Sequence, residues 1–222
     1  MVWPGTHTVV VPNPDLKPEK SLNYEAGSSF KADGVFGSDD HLFAKAVFFY
    51  DDVKDFIAPK GWFEPTTPPT VYYSSQNVGH VVRKGIELSG TYAAGQFSTS
   101  VSYGLLHAVD KETNERMNGI TPQSANLKLA YAFPAQAINV WYRAHWSKGG
   151  ESSVEDRATG KNLHFSSFLT HSLGAEWSPK VADLANLQAG IAVVNLFDKE
   201  YRMLTGSYGS GRGVRLWLSA QF

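Results

Sequence analysis

Nine stretches of this chain alternate apolar and polar residues with a period of two, and no helical periodicity competes with them. In SLNYEAGSSF, Leu22, Tyr24, Ala26 and Phe30 share one face, while Ser21, Asn23, Glu25, Gly27 and Ser29 share the other. HLFAKAVFFY puts Leu42, Ala44, Ala46, Phe48 and Tyr50 on one face, and KGIELSGTY opposes Ile86, Leu88 and Tyr92 to Glu87, Ser89 and Thr91. QFSTSVSYGLL sets Phe97, Val101, Tyr103 and Leu105 against serines, ANLKLAYAF aligns Leu127, Leu129, Tyr131 and Phe133, and INVWYRAHW opposes Ile138, Val140, Tyr142 and Ala144 to Asn139, Arg143 and His145. FLTHSLGAEW, LQAGIAVVNLF and RGVRLWLSAQF complete the set. The fold class this predicts is all-β and antiparallel.

The connections between these stretches alternate in length. Residues 32–40, 93–96, 134–136 and 179–186 are short, whereas 59–81, 107–123, 147–164 and 198–211 are long, polar and rich in glycine. Antiparallel neighbours place every second connection on one side, so one rim carries tight turns and the other long loops. That asymmetry predicts a transmembrane β-barrel of the bacterial outer-membrane type. Tyr24, Tyr92, Tyr103, Tyr131, Phe133, Trp146 and Trp177 fall near strand ends, where an aromatic girdle meets the headgroups. Bacterial single-chain barrels have even strand numbers; nine is odd. The chain also opens inside a long-side loop, residues 3–19, with no strand before it, and MVWPGTHTVV lacks the basic region and apolar core of a signal peptide. The expectation is therefore the C-terminal part of a larger barrel, with residues 1–20 a loop remnant and 21–222 strands and loops. Pro12, Pro14 and Pro18 hold that loop extended before alternation begins.

Composition narrows the function classes. The net charge is −1, which gives no basic bulk for nucleic acid, and the absence of cysteine removes disulfides and thiolate metal sites. No glycine-rich phosphate loop leads from a strand into a helix, and the serine-rich GQFSTSVSYG lacks a nucleophile elbow. The acidic pairs Asp39–Asp40 and Asp51–Asp52 are expected at turns or strand ends, where charge is cheap, and an enzyme is not expected.

Four motifs occur in order: NPDLKPEKSLNYEAG, NVGHVVRKGIELSG, VVNLFDKEYR and GRGVRLWLSAQF. Together they span nearly the whole chain, which resembles the C-terminal part of a TonB-dependent outer-membrane receptor. The resemblance implies a barrel of about twenty-two strands, a plug domain and a TonB box, neither of the last two being present in this sequence. It implies a receptor for an iron compound, partnered by the TonB complex, outer-membrane lipid and the barrel-assembly machinery. The terminal strand resembles that machinery's recognition signal, with Val214, Leu216, Leu218, Ala220 and Phe222 on one face.

Site residues follow from the same resemblance. Glu25 and Glu87 face the lumen by alternation; corresponding acids of the family pair with plug arginines, against the plainer reading of solvated lumen carboxylates. His7 lies six residues before the N-P-D-L box, in the manner of haem receptors whose loop histidine ligates haem iron. Neutral imidazole suits that role. Haem, from a haem-carrier protein or free, is thus the first expected ligand and a ferric siderophore the second, with no intrinsic cofactor and no metal ligand other than His7 toward haem iron. Tyr72, Tyr73, His80 and His107 are candidate substrate-loop residues, with His164 also near a long loop. His145, Lys45, Lys128 and Arg143 are expected in the lumen. A non-transporting surface-binding or structural barrel fragment is the alternative of another class.

Overall fold

A computed structural model of the chain describes residues 7–64, 70–77, 79–155, 161–180 and 186–221. Its strands, in chain order, are β1 (His7–Val10), β2 (Lys20–Asp33), β3 (Asp40–Lys54), β4 (Ile57–Glu64), β5 (Thr70–Asn77), β6 (Val81–Ala94), β7 (Phe97–Asp110), β8 (Gln123–Phe133), β9 (Ile138–Ser147), β10 (Gly150–Glu155), β11 (Asn162–Phe165), β12 (Phe168–Trp177), β13 (Asn186–Val194) and β14 (Gly213–Gln221). Nine of them form one sheet in the order β14-β13-β12-β9-β8-β7-β6-β3-β2. These nine are the alternating stretches of the sequence.

The other five correct the reading of the long connections as loops alone. β4 and β5 pair antiparallel between β3 and β6, and β10 pairs with β11 between β9 and β12. The opening segment, expected to be strand-free, contains β1, which pairs parallel with β5. Alternation missed these strands because HTVV, IAPKGWFE, TVYYSSQN, GESSVE and NLHF are short and lack a sustained apolar–polar alternation. In addition, β3 runs on to Lys54, so Asp51 and Asp52 lie inside a strand rather than at its end.

The chain divides into two compact units: Met1–Tyr24 with Tyr50–Lys84 and Ala108–Arg116, and Glu25–Phe49 with Gly85–His107 and Met117–Phe222. In the second unit the large apolar side chains of one face are open to the surroundings. Phe30, Phe48, Leu88, Phe97, Val101, Tyr131, Leu173, Ile191 and Leu216 are all exposed. A sheet in water would bury such a face; a sheet in lipid leaves it outward. No described helix is long and apolar enough to cross a membrane, which bears only on helices.

The short connections are built by specific hydrogen bonds. Asp40, almost fully buried, accepts the amides of Val35, Phe36 and Gly37 at 2.7, 2.7 and 2.9 Å and the Tyr92 hydroxyl at 3.1 Å. It closes the β2–β3 turn, and is not the solvated turn carboxylate that its sequence context suggests. At the β8–β9 turn, Pro134 opens a 3₁₀ turn and Ala137 ends it at φ +54°, donating to the Pro134 carbonyl.

The polar face has its own packing rule, in which aromatic rings lie over cross-strand glycines. Trp141 is the register partner of Gly174, and Trp217 that of Gly190. A Cβ on either glycine would overlap the indole. Phe49 lies likewise over Gly85, its ring 2.6 Å from where a Cβ would stand. Trp141 is buried with Ala130 and Ala192, and Trp217 packs against them. The small residues make room for rings that the register places on an otherwise hydrophilic wall.

Two outcomes are expected. Gly174→Val displaces Trp141 and lowers stability by about 1–3 kcal/mol, read from urea unfolding in lipid vesicles. Gly104→Ala, where the nearest atom to a new Cβ is Ser124 Oγ at 3.7 Å, leaves the midpoint in place, and equal midpoints for both variants would refute the glycine–aromatic account. Separately, β2 and β14 each have one sheet neighbour, and unpaired edges are costly in hydrocarbon. The 222-residue chain refolded alone in detergent is expected to associate, as measured by light scattering; a monodisperse, heat-modifiable monomer would contradict this.

Candidate functional site

In the first unit the opening segment is laid along β5, residue by residue. His7 is in register with Thr70, Val9 with Tyr72 and Val10 with Tyr73. The Val11 amide then donates to the Tyr73 carbonyl at 2.7 Å, and Asn13 Nδ2 to the Ser75 carbonyl at 3.0 Å. Asn13 Oδ1 also accepts the Asp15 amide at 3.1 Å, which shapes the N-P-D turn. The structure thus brings the backbone of His7 to the strand that carries Tyr72 and Tyr73. Tyr73 is exposed and Tyr72 half-buried.

The anchor of this arrangement is Asn77. Its Oδ1 accepts the Lys17 amide at 2.9 Å, and its Nδ2 donates to the carbonyls of Lys17 at 2.9 Å and Asp55 at 2.6 Å. Glu19 Oε1 accepts the Ile57 amide at 2.6 Å. Two of the motifs, NPDLKPE and NVGHVV, therefore hold each other. Their polar residues act on backbone, as the physics of an irregular segment requires, since each N–H and C=O needs a partner.

His80 is not displayed alone. Its Nε2 lies 2.7 Å from Asp52 Oδ1, and the Arg83 guanidinium holds Asp51 through Nε at 2.9 Å and through Nη2. The two neighbouring carboxylates of β3 are matched by His80, just before β6, and by Arg83 of β6. A carboxylate on Nε2 fixes the imidazole's tautomer and orientation. His107 lies within β7 and is half-buried, so it too departs from the loop position that its sequence context suggests.

In the second unit the polar face of β7, β8, β9 and β12 forms rows. Ser102, Asn126, His145 and Thr170 follow one another across the sheet, and Ser100, Lys128, Arg143 and Ser172 form the next row. Asn126 donates to Ser102 Oγ at 3.1 Å, and its Oδ1 lies 2.8 Å from His145 Nδ1. Lys128 and Arg143 are direct neighbours of like charge, a destabilising pairing in a sheet. The Arg143 guanidinium turns instead over Trp141, 4.6 Å from the ring centre. These rows line a hollow of about 530 Å³. Glu25 and Glu87 are exposed, and neither has a partner among the described residues. Glu87 shares a smaller hollow with Lys45. Val214, Leu216, Leu218 and Ala220 are exposed along β14, while Phe222 lies outside the described residues.

The VVNLFDKEYR motif is a frame. Asn195, buried and at φ +48°, donates from Nδ2 to the carbonyls of Lys199 at 2.9 Å and Ser210 at 3.0 Å and accepts the Lys199 amide at 2.9 Å. Asp198, at φ +52°, accepts the Arg212 amide at 2.7 Å. The whole connection from β13 to β14 is closed around these two side chains.

A profile of the TonB dependent receptor-like β-barrel family matches residues 3–196. The chain belongs to that family. It is 25% identical over 210 residues to the heme/hemopexin utilization protein C of Haemophilus influenzae, covering 93% of this chain and 29% of that protein. It is 24% identical over 234 residues to the TonB-dependent heme receptor A of Haemophilus ducreyi, covering 94% and 31%. Among solved structures, the FrpB iron transporter of Neisseria meningitidis superposes with a TM-score of 0.66 at 21% identity, over 94% of this chain and 31% of its own. The chain thus spans about a third of the length of these TonB-dependent relatives.

Sequence reasoning missed what depends on register: the rings over glycines and the like-charged pair in one row. It also took the family motifs as signatures without seeing that Asn77 and Asn195 bind backbone. In Asn77→Ala, three hydrogen bonds are lost, at about 1 kcal/mol each. Trypsin is expected to cut after Lys20 faster in that variant, on cells displaying the receptor; unchanged cleavage would refute the anchoring role.

Proposed function

We propose that this chain is the C-terminal barrel wall of an outer-membrane receptor that takes up an iron compound, haem before a ferric siderophore. The observation that carries the reading is the pinning of the His7 segment to β5 beside Tyr72 and Tyr73, together with relatives named for heme. A backbone held at a fixed register limits the ordering cost of binding, and imidazole is a good axial ligand for haem iron. Strand alternation puts Tyr72, and not Tyr73, on the sheet face of residue 7, where a ring adds surface for a porphyrin face.

Transport requires no covalent chemistry. In this reading the ligand is captured by the long connections and released inward when the plug, pulled by the TonB complex, moves away from Glu25 and Glu87. The basic row of Lys128 and Arg143 offers an anionic ligand a favourable wall. β14 addresses the chain to the barrel-assembly machinery through Val214, Leu216, Leu218, Ala220 and Phe222, and the exposed apolar face meets outer-membrane lipid. The name of one relative includes hemopexin, which supports a carrier protein as the haem source. The siderophore reading draws on the likeness to an iron transporter.

The test is a haem titration of the receptor in outer-membrane vesicles, following the Soret band. The native receptor is expected to give a saturable shift, and His7→Ala to weaken it by about tenfold or more. A native receptor that gives no shift moves the assignment to a ferric siderophore. A shift unaltered in His7→Ala leaves haem as the ligand and removes His7 as its ligating residue.

A further inference from the structure

The second unit holds a hollow of about 730 Å³ between the end of β11 and the β13–β14 connection. That size falls within the roughly 300–1,000 Å³ of small-molecule sites. We propose that it is a second ligand site, which takes a planar aromatic molecule bearing a carboxylate, and that Arg202 is the residue which recognises the carboxylate. The proposal rests on the reading above of a receptor for haem-like ligands and adds to it a place distinct from His7.

The chemistry of the walls supports this class. Tyr201 is stacked on Phe168, centroids 4.1 Å apart and planes 28° from parallel. The Arg202 guanidinium lies 3.9 Å from the Tyr208 ring centre and 5.5 Å from that of Phe165. Two ring contacts restrict the guanidinium without using a hydrogen-bond acceptor, and a guanidinium edge suits a carboxylate through paired donors. Among the described residues Arg202 has no carboxylate partner. Lys199 and Glu200 on the same wall offset one another in charge, and Asp198 is occupied by the Arg212 amide. The lining is formally neutral, with Lys199 and Arg202 against Asp198 and Glu200, and Arg202 is the cation held against the rings. His164, exposed at the border, adds an imidazole.

The site is preformed. The Asn195 bonds fix one wall, and Arg202 and Tyr208 are themselves bridged backbone to backbone. Gly209 lies against the Tyr201 ring so closely that any Cβ there would overlap it. Gly149 similarly has no room for a side chain beside the Phe165 carbonyl. A hollow framed by buried asparagine and by glycines under ring faces binds without first ordering its loops.

The experiment uses the receptor in outer-membrane vesicles, with metal-free protoporphyrin and its dimethyl ester as probes and tryptophan quenching as readout. The lack of iron removes any contribution from axial ligation. Arg202→Gln is expected to weaken the dicarboxylate by about tenfold to a hundredfold, the range for a hydrogen bond to a charged group, and to leave the ester's affinity unchanged. Arg202→Lys is expected to restore the dicarboxylate in part. Heat-modifiability of each variant shows that the barrel is intact. Equal affinity of native receptor and Arg202→Gln for the dicarboxylate overturns the proposal, as does an equal loss for both probes. If the native receptor binds neither porphyrin nor haem, the haem reading itself fails. If haem binds and responds to His7→Ala alone, the haem reading stands and this site falls.

Discussion

The backbone hydrogen-bond ladder of the nine-stranded sheet is the constraint on which everything else depends. In hydrocarbon an unpaired amide or carbonyl has no water to turn to. Each strand must therefore keep its register with its neighbour over the full membrane thickness. Once register is imposed, the side chains lose the freedom to choose their neighbours. Lys128 is placed beside Arg143, and Trp141 beside Gly174, by the pairing of β8, β9 and β12. The polar face then has to make these imposed neighbours tolerable. It does so with glycine beneath indole, and with a guanidinium drawn over a ring and away from the ammonium beside it.

The irregular segments solve the same problem by a different route. Where no ladder exists, asparagine and aspartate side chains stand in for the missing strand. Asn77 satisfies backbone groups of Lys17 and Asp55, Asn195 those of Lys199 and Ser210, and Asp40 three successive amides of a turn. One buried side-chain amide can satisfy a donor and two acceptors at once. This is why so few residues hold such long connections, and why several of them occur at positive φ, where Asn and Asp are favoured among the non-glycine residues.

The nine membrane strands were legible because lipid imposes alternation, and alternation is a property of single residues in order. The girdle aromatics and the contrast of short and long connections follow from the same cause. β1, β4, β5, β10 and β11 were not legible, because they are short and lack a sustained apolar–polar alternation. What pairs them is backbone, and backbone is the same in every residue. Asp40 and the carboxylates Asp51 and Asp52 misled for a related reason. A charged residue near a turn reads as solvated, yet each of these three has specific donors that only the folded chain brings near. The candidate site was half legible. His7, Tyr72 and Tyr73 lie on two paired strands, while Arg202, though inside the VVNLFDKEYR motif, was not singled out, because the rings around it come from other parts of the chain.

The motifs and the recognition residues are neighbours with separate duties. Asn195 and Asp198 tie the connection, and Tyr201 and Arg202, which follow within a few residues, face the hollow. Asn13 and Asn77 tie the opening segment to β5, and His7 sits beyond the tie. A frame that binds only backbone is indifferent to the side chains it carries. It can therefore persist while the displayed residues change from one ligand to another. That division also means that the backbone-binding residues of the motifs are silent about the ligand. Specificity has to be sought in the residues between them, where a substitution alters binding without loosening the barrel.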